Sequence, residues 1–311
     1  MNLVEQWINK YLLELQNIYR YSTKTVLTYQ HGLEDFKNYF KQTGLENLND
    51  FNYSMVRGYL MHLYENKLSP SSVRLRISIL RSFYRFLIDQ EQVSANPFEA
   101  VTLPKVARKN PEFLYQDEIN KVIDQKESKE VNPELKIRDH MLFELLYATG
   151  LRIGEVILLQ LEDFDFDQNF IRVLGKGSKE RYVPFNLLCK DWIEDYLENS
   201  RKVLMERYQE NHMYFLINRL GQPISEKGAY NIVRKLAKNQ GLQKNVHPHM
   251  LRHTFASDLL SNGADIRIVQ EMLGHSSLST TQIYTHISTE KLNKTYQNAH
   301  PLANKDPNKK Y

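Results

Sequence analysis

Cysteine is nearly absent from this chain of 311 residues, and its single copy, Cys189, excludes an intramolecular disulfide and a cysteine-based zinc site. The cytoplasm is the compartment expected of such a chain. Long apolar runs are missing too: none approaches the ~18 residues that a membrane-spanning helix needs, so no membrane association is expected. The opening stretch MNLVEQWINKYLLELQNIYR breaks up its apolar residues with acids and amides, unlike a secretory signal. There is no internal repeat and no extended low-complexity segment. His249 and His253 have the i,i+4 spacing of a helical metal pair, but no glutamate follows the first histidine as in HExxH, and no cysteine or acidic cluster completes a site. No metal is expected. In Gly175-Lys176-Gly177-Ser178 a glycine follows the lysine, where a nucleotide-binding P-loop requires serine or threonine, so no nucleotide cofactor is expected either.

Charge is close to balanced overall, with 41 Lys and Arg against 37 Asp and Glu, but it is unevenly placed. Through residue 109 there are 14 basic and 10 acidic residues, so the first third of the chain carries the whole net charge of +4. A basic region of this kind favours a polyanionic partner. Between Glu65 and Asp89 lie Lys67, Arg74, Arg76, Arg81 and Arg85 with no acid among them.

The length predicts two domains. The first hundred residues read as helices. Ser22 or Thr23 can cap a segment in which Val26, Tyr29, Leu33, Phe36 and Phe40 recur at helical spacing. After Ser69-Pro70, Val73, Ile77, Leu80, Tyr84 and Leu87 form one stripe, and Arg74, Arg81 and Arg85 form another. With Arg76 nearby, this helix is a candidate to lie along a phosphate backbone, although a basic stripe is also what a solvated helix face looks like. The stretch NPFEAVTLPKVARKNPE, residues 96–112, holds three prolines without periodicity and reads as an extended basic linker. The expected division is residues 1–106, a linker at 107–112, a second domain at 113–300 and a polar, mobile tail at 301–311.

In the second domain MLFELLYATG reads as a helix ended by Gly150, and IRVLGKGSKERYVPF alternates as a hairpin does, with Lys176 at or beside its turn. The fold class expected is mainly α in two domains, the second carrying a small antiparallel sheet. Leu251, Phe255, Leu259, Ile268, Val269 and Leu273 are expected in its core.

Six side chains carry chemistry: Arg152 in ATGLRIGEV, Lys176, His249 and Arg252 in HPHMLRHTFAS, His275 in MLGHSS, and Tyr284 in TTQIYTH. Cleaving a phosphodiester without a metal requires donors aimed at the nonbridging oxygens, each worth about 3 kcal/mol when well placed. Arg152 and Arg252 suit that task, because a guanidinium is planar and always charged, with His275 adding a hydrogen bond. A phenol of pKa ~10 is ionised about once in a thousand at pH 7. His249, at a helix start after Pro248 and three residues before Arg252, can take its proton. Glu155, three residues after Arg152, either orients it through a salt bridge or is a solvated helix carboxylate. His253 is expected as a buried, hydrogen-bonded neighbour.

The ordered series of these blocks resembles the tyrosine recombinase (phage integrase) family, and within it the Xer subfamily, nearest its XerC branch on the HPHMLRH and NAHP stretches. The likeness runs from about residue 5 to about residue 303 and is strongest at 146–156, 173–186 and 247–286. Gly154 departs from it, standing where Xer proteins carry a serine or similar small residue; it is read as a packing variation. The resemblance implies a SAM-like, core-binding helical bundle followed by the catalytic fold. It implies Tyr284 as the nucleophile of a 3′-phosphotyrosine intermediate and Lys176 as the donor of a proton to the departing 5′ oxygen. It also implies a double-stranded DNA site of dif type, chromosome-dimer resolution, a tetramer with a second, XerD-like recombinase, and activation by a DNA translocase. The last helix, with Leu292 and Tyr296 at i,i+4, is expected to dock into a neighbouring subunit. The rival readings are a mobile-element integrase with the same chemistry, against which the lack of an arm-binding domain before residue 5 counts, and a noncatalytic architectural DNA-binding protein.

Overall fold

Helix starts in the first part of the chain coincide with side chains that can accept a hydrogen bond from an otherwise unpaired backbone N–H. Ser22 caps α2 (Thr23–Gln42), Asn52 caps α3 (Tyr53–Glu65), and Ser69, with Pro70 at the first helical position, caps α4 (Pro70–Asp89). α1 is Leu3–Asn17. The computed structural model describes residues 3–104, 112–123, 132–175, 180–274 and 289–303. The chain divides into two units, Met1–Arg108 and Lys109–Tyr311.

The first unit closes on an aromatic core. Leu33, Phe36 and Phe40 of α2 are buried, and the whole expected stripe of α4, from Val73 to Leu87, is buried with them. Phe36 is the hub: the rings of Phe40, Phe51, Tyr59, Tyr84 and Phe98 lie 5.1–6.2 Å from it, mostly edge-on. Phe98 corrects the reading of the stretch from residue 96 as extended, since the first part of that stretch belongs to the first unit. Its ring is fully buried, as is most of Val101, so the chain as far as Leu103 packs on this core.

Arg81 secures that return and departs from the basic stripe expected of α4. Its Nε donates to the Phe98 carbonyl at 3.0 Å, and Nη2 donates to the carbonyls of Glu99 and Val101. A guanidinium engaged in this way binds its own chain. Arg76 faces Asp35 at 3.9 Å, and Arg85 faces Glu99 at 3.5 Å from an exposed position. Arg74 is exposed.

The second unit is organised around α6 (Pro133–Thr149), whose residues from Arg138 onward are all buried. A helix surrounded on every side shows no apolar stripe in its sequence. Before it runs α5 (Gln116–Ile123), and after it come α7 (Ile153–Val156) and a three-stranded antiparallel sheet. The strands are β1 (Phe164–Asp165), β2 (Phe170–Leu174) and β3 (Glu180–Pro184), in the order β1-β2-β3, with Ile171 opposite Val183 and Val173 opposite Arg181. α8 (Leu187–Tyr196) passes through a π turn at Leu197–Arg201 into α9 (Lys202–Tyr208). There follow α10 (Glu226–Asn239), α11 (Pro248–Ser261), α12 (Ile266–Leu273) and α13 (Thr289–Ala299). Mainly helical, with one small sheet, this is the expected fold class. No helix among the described residues is long and apolar enough to cross a membrane.

Two expectations about the chain's end are corrected. Leu292 and Tyr296 are buried against Phe255, Leu259 and Met272 of their own chain, so α13 docks internally. A tail beginning at residue 301 is also too early, because Leu302 and Ala303 are buried in the cores of the same unit. The residues expected inside, Leu251, Phe255, Leu259, Ile268, Val269 and Leu273, are all buried.

Candidate active site

The site begins with a glycine that nothing else can replace. Gly150 ends α6 with φ +61°, and a Cβ there would lie 2.4 Å from the Phe255 ring of α11. That close approach brings the Gly150 carbonyl to Arg252, whose Nη1 donates to it at 2.7 Å. Two residues on, Arg152 is the N-cap of α7, and the side chain of Glu155 accepts its backbone N–H at 2.9 Å.

Glu155 does more than solvate a helix start. Its Oε1 accepts from Arg152 Nη1 at 2.9 Å, and its two oxygens take the fork of Arg181 at 3.0 and 2.9 Å. Burial works against its charge, but the hydrogen bonds from Arg181, and then Arg152, outweigh it and hold the carboxyl below its usual range. The salt bridge from Glu155 to Arg152 is therefore present, and Arg181 is a second partner that lies outside the six candidates of the sequence motifs. The signal was there: β3 alternates, so Arg181 falls on the same inward face as buried Val183, and a charge on that face calls for a carboxylate.

Arg252 is buried at 7% exposure, on α11. Burial, and then the neighbouring Arg152, pull its guanidinium down to about 10, still charged at neutral pH. Arg152 is more open, with its side chain 39% exposed. The two arginines also meet at the end of α12: Arg252 Nη2 donates to the Leu273 carbonyl at 2.6 Å, and Arg152 Nη2 to the Gly274 carbonyl at 3.3 Å. Gly274 has φ +64°, the left-handed cap of α12, and His275 is the next residue in the chain. Both nonbridging-oxygen candidates are thus anchored on the peptide that leads into the third.

His249 lies in the first turn of α11, which starts at Pro248 as expected, with the His247 side chain capping it by accepting from Met250 N–H at 3.1 Å. The His249 imidazole is held below its ordinary pKa, by partial burial first and then by nearby His247, Arg252, His253 and Arg152. It is therefore neutral, and able to accept a proton, around pH 7. His253 is exposed, contrary to the buried position expected of it; the i+4 position turns it outward while Leu251 and Phe255 fill the core. A Cβ at Gly154 would meet nothing within 4 Å, so packing does not explain a glycine there. Lys176, His275 and Tyr284 lie outside the described residues. Among those that are described, no cluster of three or more His, Cys, Asp or Glu could hold a metal ion.

Comparison with known proteins covers both units. Residues 112–291 match the phage integrase family, and residues 8–91 match the phage integrase N-terminal SAM-like domain. The chain is 42% identical over 304 residues to tyrosine recombinase XerC of Oceanobacillus iheyensis, covering 98% of this chain and 99% of that one. It is 38% identical over 303 residues to tyrosine recombinase XerC of Bacillus subtilis, covering 97% and 99%. Among solved structures, a lambda integrase dimer bound to a COC′ core site superposes with a TM-score of 0.67 at 19% identity, over 93% of this chain and 100% of that one. The XerH site-specific recombinase bound to a palindromic difH substrate, a post-cleavage complex, superposes with a TM-score of 0.68 at 24% identity, over 93% and 83%. At these identities the two structures attest the fold.

Proposed function

The chain belongs to the tyrosine recombinase (phage integrase) family, in its Xer branch, and from that premise we propose how its residues divide the work of strand exchange and on which DNA they act. It is a site-specific recombinase, an enzyme of DNA recombination.

Tyr284 attacks the scissile phosphorus through its phenolic oxygen while His249 takes the phenol proton. The bond to the 5′ oxygen breaks, and Lys176 protonates that oxygen as it leaves. Arg152, Arg252 and His275 hold the nonbridging oxygens, whose negative charge grows in the transition state. The product is a 3′-phosphotyrosine that keeps the energy of the broken bond, so the 5′ hydroxyl of another strand reverses the reaction with no ATP. The observation that carries this division is that Arg152 and Arg252, a hundred residues apart, share the Gly150 turn and the Leu273–Gly274 peptides. Both forks are held by backbone carbonyls, and that of Arg152 by Glu155 as well.

The DNA is double-stranded and carries a dif-like site, and the biological outcome is resolution of chromosome dimers in the cytoplasm. The enzyme works in a tetramer with a second Xer-type recombinase and under activation by a DNA translocase. Of the four arginines Arg74, Arg76, Arg81 and Arg85 in the first unit, Arg74, Arg76 and Arg85 are the proposed DNA contacts. Exposed Arg74 and Arg85 are the best placed of the four, because Arg81 already binds its own backbone.

The test is a nicked suicide duplex bearing a dif-type site, incubated with the protein alone and with a companion recombinase, without metal or ATP. A denaturing gel is expected to show a covalent adduct on the 3′ side of the break that Tyr284→Phe cannot form. An adduct that survives in Tyr284→Phe would overturn the choice of nucleophile. Adducts on a mobile-element junction and none on dif-type DNA would move the biological role to the rival reading.

A further inference from the structure

Three consecutive carbonyls close α12, and three arginines take them one apiece. Arg181 Nε donates to the Met272 carbonyl at 2.9 Å, Arg252 Nη2 to that of Leu273, and Arg152 Nη2 to that of Gly274. The last carbonyls of a helix lack helical partners and sit at the negative end of its dipole, so cations are favoured there. Arg152 comes from the turn after α6, Arg181 from β3 and Arg252 from α11. Elements far apart in sequence therefore converge on one helix end, immediately before His275.

Two of these arginines are the proposed phosphate ligands; the third cannot be one. Every nitrogen of the Arg181 guanidinium is committed, Nε to Met272 and Nη1 and Nη2 to Glu155, whereas the equally buried Arg252 bonds to the described residues through Nη1 and Nη2 and not through Nε. Glu155 in turn holds Arg152 by both its side chain and its backbone N–H. A second observation, independent of these hydrogen bonds, points to the same place. A Cβ on Gly274 would lie 3.0 Å from the Arg181 guanidinium carbon and 3.0 Å from Nη1, so the helix end and the arginine are fitted to each other.

We propose that Arg181 is a positioning residue of the recombination reaction, tying β3, the Glu155 carboxylate and the end of α12 into one frame that presets Arg152 and Arg252. It touches no reacting atom. Arg152 and Arg252 can then meet a phosphate without first being ordered, and the peptide leading into His275 starts from a fixed point. Misplacement of a catalytic group by about 1 Å costs on the order of 10²-fold in rate, which is the scale of effect expected when this frame is loosened. Lysine keeps the charge but offers a single nitrogen, and cannot reach Met272 and both Glu155 oxygens together.

The inference rests on the proposed roles of Arg152, Arg252 and Tyr284, and the experiment separates the two. Single-turnover cleavage of the nicked dif-type duplex is measured at saturating protein, recording the rate constant, the fraction of substrate cleaved and, separately, the affinity for DNA. The expectation for Arg181→Lys is a rate constant lower by on the order of 10²-fold, with DNA affinity and cleaved fraction near those of the unaltered protein. A merely structural role would reduce the fraction of active protein and leave the rate constant of the remainder unchanged, and that result would overturn the proposal. Should Arg181→Lys not fold, Gly274→Ala decides, since it keeps every charge while its Cβ presses on the Arg181 guanidinium and its φ of +64° strains the α12 end that the three arginines hold. Slow cleavage by folded Gly274→Ala supports the frame, and cleavage at the unaltered rate overturns it. Absence of any Tyr284-dependent adduct with the unaltered protein would instead refute the underlying site assignment.

Discussion

Charged and polar residues buried in the second unit, among them Arg138, Glu144, Arg181, Arg201, Arg252 and His300, have no counterpart in the first, whose buried core among the described residues is aromatic and aliphatic throughout. Each unit still uses the same device, a guanidinium donating to backbone carbonyls. Arg81 does so in the first unit, and Arg201, which holds the carbonyls of His212 and Tyr214, does so in the second. The difference lies in what remains. In the first unit the device closes a strap over an apolar core that supplies the stability. In the second, Arg152 and Arg252 are tied to carbonyls at one side while the Arg152 side chain stays partly open, which is the arrangement a phosphate site needs. A unit held by packing needs no buried charge; a unit proposed to stabilise a developing charge has to prevent its cations from moving.

The chain's two tryptophans allow the comparison to be tested, since Trp7 packs on the first core and Trp192 stacks on His140 in the second. The largest effect is expected from Phe36→Ala. Removing the hub of the aromatic cluster should cost about 3–5 kcal/mol, the range for a buried phenylalanine. In denaturant unfolding of the full chain, with Trp192→Phe so that Trp7 reports alone, the transition should move to lower denaturant. An unmoved Trp7 transition would mean that the aromatic core does not dominate the first unit's stability.

A smaller effect, confined to the second unit, comes from acid. Burial holds His140 down to about 4 and His300 down to about 3, so both are neutral in the folded protein below the ordinary histidine value of 6.5. The unfolded chain binds protons there and the folded one does not. Stability is thus complete above pH 6.5 and falls as the pH drops toward 4, by about 1 kcal/mol per pH unit for each histidine. Unfolding followed at Trp192, with Trp7→Phe, should weaken between pH 6.5 and 5, and His300→Leu should flatten that slope. A profile already flat in the unsubstituted histidine background would show that these imidazoles are hydrated.

The smallest effect belongs to Gly154→Ser. A Cβ there meets nothing within 4 Å, so stability should stay within about 0.5 kcal/mol and the cleavage rate should be unchanged. A large loss in either would mean that the turn carrying Arg152 requires glycine for a reason other than space.

Where the sequence was readable, one kind of surface met one kind of partner. The stripes of α2 and α4 face a single core, so their spacing shows, and Ser22, Asn52 and Ser69 mark the helix starts. α6 is the opposite case. MLFELLYATG reads as a helix, but nothing in the polar PELKIRDH before it marks Arg138, Asp139 and His140 as buried, where ion pairing and stacking satisfy them. Arg152, His249 and Arg252 stand out as candidates from residue type and motif, since the proposed chemistry demands those groups. Arg181 was not singled out, because its partners, Glu155 and the Met272 carbonyl, are 26 and 91 residues away along the chain. The docking of α13 was misjudged for a related reason: Leu292 and Tyr296 form the same i,i+4 pair whether the groove they fill belongs to their own chain or to another.

Cys189, fully buried in the second core with its thiol pushed well up by burial, has a practical consequence. It presents no thiolate to a maleimide, so cysteines introduced at exposed positions on each unit can be dye-labelled selectively without removing a native residue. A donor and acceptor placed in that way would report the separation of the two units on and off DNA by energy transfer, molecule by molecule.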